Sequence, residues 1–188
     1  MKRSETTLPG VFVLEPNLYV DERGSLREDF NQELFKKEGL THQFKQEFHC
    51  KSHRGVIRGL HYQKQRKQSK LLQVVFGEIY EVVVDVRRGS PSFGKAFGVS
   101  LSAWNMKLLF IPEGFADGFL VMSETADILW KASDYFDPKD QRGVFWNDPH
   151  LGVKWPLGEE QYPTLSRRDK EWPILGKVPY SELPNFED

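Results

Sequence analysis

The fold of this chain is decided by the stretch Leu71-Leu-Gln-Val-Val-Phe-Gly-Glu-Ile-Tyr-Glu-Val-Val-Val-Asp85. β-Branched and aromatic residues dominate it, and such side chains favour strands over helices. Gly77 and Glu78 interrupt the run, which predicts a turn between two strands. The second strand is apolar at consecutive positions, a pattern typical of a strand that is covered on both faces.

Outward from this stretch, the sequence predicts further strands separated by Gly, Pro, Asp and Asn. They are expected at residues 10–15, 25–30, 44–50, 56–60, 97–101, 107–111, 118–122, 127–133 and 143–146. Their spacing, near eight to about twelve residues, is typical of sandwiches and barrels. The prediction is therefore a single all-β domain over residues 1–188, a jelly roll or a related barrel.

Two short helices are predicted beside the strands. Asn31 is a suitable N-cap for a helix over residues 32–37, which Gly39 would end. The tail beyond Trp155 is rich in proline, which suits an extended path with short helical turns. Ser166 is positioned to cap one such turn, over residues 167–170.

Composition excludes several classes of protein. The 188 residues carry a net charge of only −1, whereas a general nucleic-acid binder would be basic as a whole. No apolar run approaches the length of a membrane span. The single cysteine, Cys50, rules out an internal disulfide. We therefore expect a soluble cytoplasmic protein with no membrane or nucleic-acid partner.

A basic cluster surrounds His61. Between Lys51 and Lys70 there is no acidic residue, and the cations are Lys51, Arg54, Arg58, Lys64, Arg66, Lys67 and Lys70. One interpretation is a site for an anionic ligand, in which a titratable imidazole lies close to the cations. The other is a solvated basic strand edge beside a core histidine. Composition alone leaves both interpretations open.

The histidines do not have the spacing of a metal site. A barrel enzyme that binds a metal commonly has two histidines one residue apart, but Tyr62 and Gln63 follow His61. The remaining histidines show no ligand spacing either: His42, His49, His53 and His150. Gly55 and Gly59 flank a strand and do not form a phosphate-binding loop. The sequence therefore predicts neither a metal nor another cofactor.

Metal-free acid–base chemistry remains. An imidazole near Arg58 and Lys70 is suited to removing a proton to form a carbanion that nearby cations stabilise. A carboxylate that orients the imidazole would complete such a base. Asp85 and Asp169 are the best candidates for that carboxylate, and spacing does not decide between them.

A family resemblance rests on an ordered set of motifs that covers nearly the whole chain. They are Asp21-Glu-Arg-Gly24 with Glu28 and Phe30, Arg54-Gly-Val-Ile-Arg-Gly-Leu-His-Tyr-Gln63, Val83-Val-Asp-Val-Arg87, Gly89-Ser-Pro-Ser-Phe-Gly94, Ile111-Pro-Glu-Gly-Phe-Ala116, Trp146-Asn-Asp-Pro149 and Leu165-Ser-Arg-Arg-Asp169. Each motif is weak alone, but their ordered combination is specific. Together they resemble the dTDP-4-dehydrorhamnose 3,5-epimerase family.

The resemblance implies a metal-free, cupin-type jelly roll that forms a homodimer by exchanging amino-terminal strands. It implies a nucleotide-diphospho-4-keto-6-deoxyhexose as substrate, most simply the dTDP-linked sugar, with inversion at C3, C5 or both. His61 would be the base and Asp169 its partner, and the catalytic set would also include Arg58 and Lys70. The resemblance implies substrate-binding roles for Arg23, Glu28, Gln46 and Asp85, the first three at the nucleotide.

Four departures from the family pattern fall at expected substrate-binding positions. Trp130 stands where the family has a tyrosine that acts as the acid, and Phe136 replaces a second tyrosine, although Tyr135 is adjacent. Asp117 replaces a frequent histidine, and Phe48 lies in the region that would recognise the nucleotide. The identity of the nucleotide, dTDP, CDP or GDP, therefore stays open.

Trp130 also leaves the function open. An indole N–H donates a hydrogen bond but does not exchange a proton usefully near neutral pH. Water or Tyr135 would then have to supply the second proton. Three alternatives to double inversion follow: epimerisation of one centre of another nucleotide sugar, a different isomerisation of a 4-keto sugar, and a non-catalytic cupin that binds a nucleotide sugar.

Overall fold

The computed structural model describes residues 1–158 and 162–186, so residues 159–161 and 187–188 of the predicted domain lie outside the described residues. The described strands are β1 Lys2–Glu5, β2 Phe12–Glu15, β3 Leu18–Asp21, β4 Gly24–Arg27, β5 Gln46–His53, β6 Ile57–Gln63, β7 Lys70–Phe76, β8 Glu78–Asp85, β9 Ala96–Ser102, β10 Leu108–Ile111, β11 Phe115–Val121, β12 Thr125–Ala132 and β13 Gln141–Gly143. The helices are α1 Gln32–Lys37 and α2 Arg167–Glu171, and two 3-10 turns follow at Leu175–Lys177 and Tyr180–Glu182.

The strands form two antiparallel sheets and a separate hairpin. A six-stranded sheet has the order β1-β2-β10-β7-β12-β5, and a five-stranded sheet has the order β13-β6-β11-β8-β9. The separate hairpin is β3-β4. One hydrophobic core takes side chains from both large sheets, including Leu72 and Ile128 from the first and Val83 and Phe119 from the second. The fold is a cupin-type jelly roll, as the sequence predicts.

The stretch from Leu71 to Asp85 forms the two strands predicted from it, and these belong to different sheets. β8 is buried at all of its last five positions, so the prediction of a strand covered on both faces is confirmed. Gly77 has φ +75° between the strands, and a Cβ there would lie 2.1 Å from the Thr125 carbonyl oxygen. Only glycine fits this turn.

Both predicted helices are confirmed. Asn31 accepts hydrogen bonds from the backbone N–H groups of Glu33 and Leu34 at the start of α1. Ser166 accepts from the backbone N–H of Asp169 at the start of α2. Among the described residues, no helix is long and apolar enough to cross a membrane.

The strand predictions were wrong in four places. The strand expected at residues 143–146 lies at Gln141–Gly143, and the one expected at 25–30 ends at Arg27. β1 and β3 were missed. All four residues of β3 are exposed, so it lacks the core-facing alternation by which a strand is predicted from sequence.

β6 and β11 approach each other closely where the fold positions its polar residues. A Cβ on Gly118 would lie 2.5 Å from the carbonyl oxygen of Arg58, so the two backbones leave no room for a side chain there. Next to this contact, Asp117 of β11 pairs directly with His61 of β6. Side chains at directly paired positions point to the same face of a sheet. This face is the one turned toward the other sheet, because Phe115 and Phe119 flank Asp117 in the shared core.

Candidate active site

A cavity of about 360 Å³ opens between the two sheets and the carboxy-terminal segment. Eight of the residues expected at the site line it: Phe48, Arg58, His61, Lys70, Asp117, Trp130, Phe136 and Asp169. They come from both sheets and from α2, so the fold brings together side chains that are far apart in the sequence. The volume lies at the lower end of the range typical of ligand pockets.

His61 and Asp169 form the central pair of the cavity. The Nε2 atom of His61 lies 2.5 Å from an Oδ1 oxygen of Asp169. Asp169 is only 4% exposed and is held by α2, which Ser166 caps. The His61 side chain is 24% exposed, so it can reach a ligand in the cavity. Asp169, and not Asp85, is therefore the carboxylate beside His61.

The charge of Asp169 fixes the proton on the imidazole ring. Burial by itself would raise the pKa of Asp169, but its hydrogen bonds, the largest of them with His61, and its charge interaction with His61 together hold the pKa below its ordinary value. An ionised carboxylate only accepts hydrogen bonds, so the Nε2 atom of His61 carries the proton. The Nδ1 atom is then the unprotonated nitrogen, which is the form that a general base needs.

Lys70 and Asp117 form a second charged pair in the cavity. The Nζ atom of Lys70 lies 2.5 Å from an Asp117 carboxylate oxygen, and both side chains are largely buried. Lys70 comes from β7 of the six-stranded sheet, whereas Asp117 lies opposite His61 in the five-stranded sheet. The pair therefore connects the two sheets beside the imidazole. Asp117 lies within a strand, so it is not an ordinary turn residue.

Glu81 is a buried acidic residue that the sequence analysis did not single out. It is fully buried, and neither carboxyl oxygen has a hydrogen-bond partner among the described residues. It pairs with Phe119, two positions along β11 from Asp117. Burial, together with the negative charge of Asp117, raises the pKa of Glu81 well above its ordinary value, so its neutral form is favoured. In the sequence, this buried carboxyl group is indicated by a lone acidic residue within the apolar run 79–84.

Aromatic rings from the six-stranded sheet and from the loop after β12 form one part of the cavity wall. Phe48 and Trp130 are direct partners across β5 and β12, and their rings stack with centroids 4.9 Å apart. Phe136 packs edge-on against Phe48 at 6.1 Å. An apolar wall of this kind suits the ring of a sugar or base and excludes water. Trp130 therefore lies at the cavity and does not merely fill the core.

The cavity is also lined by polar residues to which the sequence analysis gave no role at the site. Gln63 follows His61 at a spacing of two along β6, which places both on one face of the strand. Its amide donates to the carbonyl oxygens of Arg66 and Tyr135. Arg58 Nε donates to the Ser52 hydroxyl, which holds this guanidinium at the wall. Gln68, Gln141 and Arg168 also line the cavity.

The structure does not bring every expected residue to the cavity. Asp85 is fully buried away from it, where it is ion-paired with Arg87 and accepts hydrogen bonds from the hydroxyls of Ser90 and Ser92. The expectation that Asp85 is a pocket carboxylate is therefore corrected, because its oxygens hold the loop after β8. The Gln46 side-chain oxygen accepts from the Phe136 backbone N–H beside the cavity.

The two other expected nucleotide-binding residues do not line the cavity of their own chain. Arg23 is in the exposed turn of the β3-β4 hairpin, where its guanidinium pairs with Asp21. Glu28 directly follows the hairpin. Among residues 1–158 and 162–186, no group of three or more His, Cys, Asp or Glu side chains is arranged to hold a metal ion.

Comparisons with known proteins agree with this geometry. Residues 5–177 match the family model described as dTDP-4-dehydrorhamnose 3,5-epimerase. A Pseudomonas aeruginosa protein with that name is 44% identical over 172 residues, which cover 91% of this chain and 94% of the relative. A Neisseria gonorrhoeae protein of the same name is 45% identical, and the match covers 89% of this chain but only 52% of that relative.

A solved structure shows the same fold throughout. It is a dTDP-6-deoxy-D-glucose-3,5-epimerase from Legionella pneumophila in complex with dTDP-4-keto-L-rhamnose. The TM-score is 0.95 at 39% sequence identity, and the match covers 100% of this chain and 99% of the other. Identity and coverage at this level, with the family model matched over most of the length, show that this chain belongs to the dTDP-4-dehydrorhamnose 3,5-epimerase family.

Proposed function

We propose that this protein is an isomerase that inverts carbon centres next to the ketone of a dTDP-4-keto-6-deoxyhexose. The observation that carries the proposal is the His61–Asp169 pair on the wall of a ligand-sized cavity, in which Nε2 of His61 lies 2.5 Å from Oδ1 of Asp169. The named relatives support the epimerase activity and the dTDP-sugar as substrate.

The ketone at C4 makes the hydrogens on C3 and C5 acidic, so the first step is removal of one of them. The Nδ1 atom of His61 is free to accept this proton because Asp169 holds the proton on Nε2. The imidazolium that forms is stabilised by the adjacent carboxylate. The electron pair left on carbon moves to the C4 oxygen and forms an enolate.

The cavity carries cations that stabilise this enolate. Lys70 and Arg58 both line it close to His61, and Lys70 keeps two further N–H donors besides the one given to Asp117. Fixed charges in a site lined by Phe48, Trp130 and Phe136 act through little water, so each is worth more than in solution. Return of a proton to the opposite face of the same carbon completes the inversion.

Solvent exchange tests this proposal directly. In deuterated buffer, dTDP-4-keto-6-deoxyglucose incubated with the protein should gain deuterium at C3, at C5 or at both, and mass spectrometry with NMR locates it. CDP- and GDP-linked sugars in parallel reactions report nucleotide preference. If no substrate gains deuterium but the nucleotide sugar raises the melting temperature, the protein is the non-catalytic binder instead.

Trp130 favours a second candidate function, inversion of one centre only. Its indole occupies the cavity wall where the family resemblance places an acid tyrosine. A wall without that phenol can protonate fewer carbons of the sugar. The exchange reaction distinguishes the two outcomes, since inversion at a single carbon gives one inverted NMR coupling pattern and double inversion gives two.

We also propose that the protein acts as a homodimer in the cytoplasm, with amino-terminal strands exchanged between subunits. The β3-β4 hairpin supports the dimer, because it pairs with neither large sheet and exposes Leu18, Tyr19, Val20 and Leu26. A two-stranded hairpin with an exposed apolar face is marginal alone and gains stability when it is covered. In such a dimer, Arg23 and Glu28 are free to reach the partner's cavity.

Replacing Leu26 with aspartate should weaken the dimer, because Leu26 is 72% exposed in the single chain and would be buried in the proposed interface. Light scattering should give twice the mass of one chain for the wild type and a shift toward a single chain for the variant. Tyr162→Ser is the matched control, since Tyr162 is 97% exposed outside the hairpin. A wild type that is monomeric at working concentration contradicts the dimer.

A further inference from the structure

The carboxylate that pairs with His61 comes from a very short helix. α2 spans only Arg167–Glu171, and a helix of fewer than about 12 residues is not stable in isolation. Asp169 is nevertheless held 2.5 Å from the imidazole. A displacement of about 1 Å in a catalytic group can cost about 10²-fold in rate. The activity of the pair therefore depends on the contacts that hold α2 against β6.

Trp172 directly follows α2 and packs on the sheet edge beside His61. Gly143 of β13 pairs directly with His61 of β6, and a Cβ on Gly143 would lie 2.5 Å from the Trp172 ring. The indole therefore fills the space that a side chain at position 143 would occupy. Side chains at directly paired positions share one face of a sheet, so the indole lies next to the imidazole. The two rings meet edge-on, with their centroids 6.3 Å apart.

The same indole also contacts the residues of α2 that reach the cavity. The guanidinium carbon of Arg168 lies 5.1 Å from the centroid of the Trp172 ring, a cation–π contact. The buried indole N–H makes no full hydrogen bond among the described residues, but it lies near the Asp169 carboxylate. Burial raises the pKa of Asp169, and the indole adds a small lowering to the larger ones from His61 and Ser166.

The backbone after Trp172 is tied to the segment that contains Gly143. The backbone N–H of Phe145 donates to the carbonyl oxygen of Pro173 at 2.8 Å. Trp172 is not among the described residues that line the cavity, so its effect on a ligand there must pass through the residues that it contacts.

We infer that Trp172 is a positioning residue for the catalytic pair, because its ring, seated on Gly143, holds α2 and the imidazole in register. This deepens the proposed function and rests on it. With the ring in place, Asp169 stays within hydrogen-bond distance of Nε2 of His61, and the proton stays on that nitrogen. Without it, α2 and the imidazole both gain freedom, and the unprotonated nitrogen no longer points reliably into the cavity.

Replacing Trp172 with leucine (W172L) should lower kcat by about 10- to 100-fold, in line with the cost of a misplaced catalytic group. Leucine is apolar, but it is too small to contact both Gly143 and the imidazole. The affinity for dTDP should stay within about 3-fold, since Arg168 keeps its hydrogen bonds to Gln141 and to the Pro138 carbonyl oxygen. W172F keeps a flat ring over Gly143 and should lose no more than about 3-fold in kcat.

The protonation of the His61 ring gives a readout that a merely structural role would not move. In ¹⁵N NMR of the wild type, the neutral imidazole should carry its proton on Nε2, whereas W172L should show a mixture of both tautomers. W155L is the matched control, because Trp155 is a buried tryptophan that packs on Tyr80 and Trp146 and does not line the cavity. It should lower the melting temperature but keep the kcat and the tautomer of the wild type.

Replacing Gly143 with alanine tests the same contact while Trp172 is retained. The added Cβ would overlap the indole ring, so the ring must move. G143A should therefore reproduce both the loss of kcat and the mixture of tautomers. This variant also covers the case in which W172L does not fold. G143A with the kcat and the tautomer of the wild type would overturn the inference.

A double variant decides whether Trp172 acts through the pair. W172L/D169N should be no slower than D169N alone, since residues that work as a unit are not additive. Three results would overturn the inference: W172L with kcat within 3-fold of the wild type, an unchanged tautomer in a slow W172L, and a further 10-fold loss in the double variant. Absence of solvent exchange in the wild type would instead remove the proposed function, and the tautomer would still report whether Trp172 holds the pair.

Discussion

Replacing His61 with asparagine should abolish deuterium incorporation at the sugar carbons and lower kcat by at least about 10³-fold. General base catalysis contributes about 10²- to 10⁴-fold, and among the described residues that line the cavity His61 is the one histidine, so no second imidazole is there to take over. Asparagine is close to histidine in size, and its amide can still donate to Asp169. The variant should therefore fold and bind dTDP with an affinity close to that of the wild type.

A second His–Asp pair in the same fold provides the control. His49 and Asp127 are 3.0 Å apart on β5 and β12, and neither lines the cavity. His49→Asn should leave exchange unchanged. Steady-state kinetics, isotope incorporation and thermal melting of both variants separate loss of the base from loss of the fold. H61N that retains exchange at more than a tenth of the wild-type rate would show that another group removes the proton.

The sequence predicted the fold well because the core-forming strands carry their own pattern. β8 shows its burial on both faces through its uninterrupted valines, and α1 shows its limits through Asn31 and Gly39. β3 could not be predicted in this way because its exposed side chains give no alternation relative to the core. In the proposed dimer, β3 packs against the other subunit. The sequence of a single chain does not show that contact surface.

The site is formed by residues that are far apart in the sequence, and this explains why it could be predicted only in part. His61 and Asp169 are 108 positions apart, so composition and spacing left Asp85 and Asp169 as equal candidates for the partner. The family resemblance favoured Asp169, and the geometry of α2 agrees with it. The same resemblance placed Asp85 in the pocket, whereas its oxygens are bound by Arg87, Ser90 and Ser92. The presence of a carboxylate in a shared motif therefore does not show whether its side chain faces a cavity or a loop.

The Lys70–Asp117–Glu81 cluster shows a further limit. Each residue belongs to a different strand, and the cluster exists only because β8, β11 and the facing β7 meet in three dimensions. Asp117 was noted as a departure from the family, and Glu81 was not noted at all. A charged residue in an apolar strand can be recognised in the sequence. Its role depends on which residue the sheet register places next to it, and the sequence does not show that.

Replacing Asp169 with asparagine should lower kcat by about 10³-fold while dTDP binding is retained. An asparagine amide can donate to Nε2 of His61, which moves the imidazole proton to Nδ1 and removes the base from the cavity. The imidazolium also loses the negative charge that stabilises it, and His–Asp pairs of this kind lose about 10⁴-fold when the carboxylate becomes an amide.

The double variant makes the test of Asp169 decisive. If Asp169 acts only through His61, H61N/D169N should be no slower than H61N alone, since residues that work as a unit are not additive. Asp127→Asn, which alters the control pair with His49, should leave kcat unchanged. Kinetics of the four proteins, with melting temperatures, decide the matter. A D169N enzyme with wild-type kcat, or a double variant slower than H61N by a further 10-fold or so, would show that Asp169 does not serve as the partner of the base.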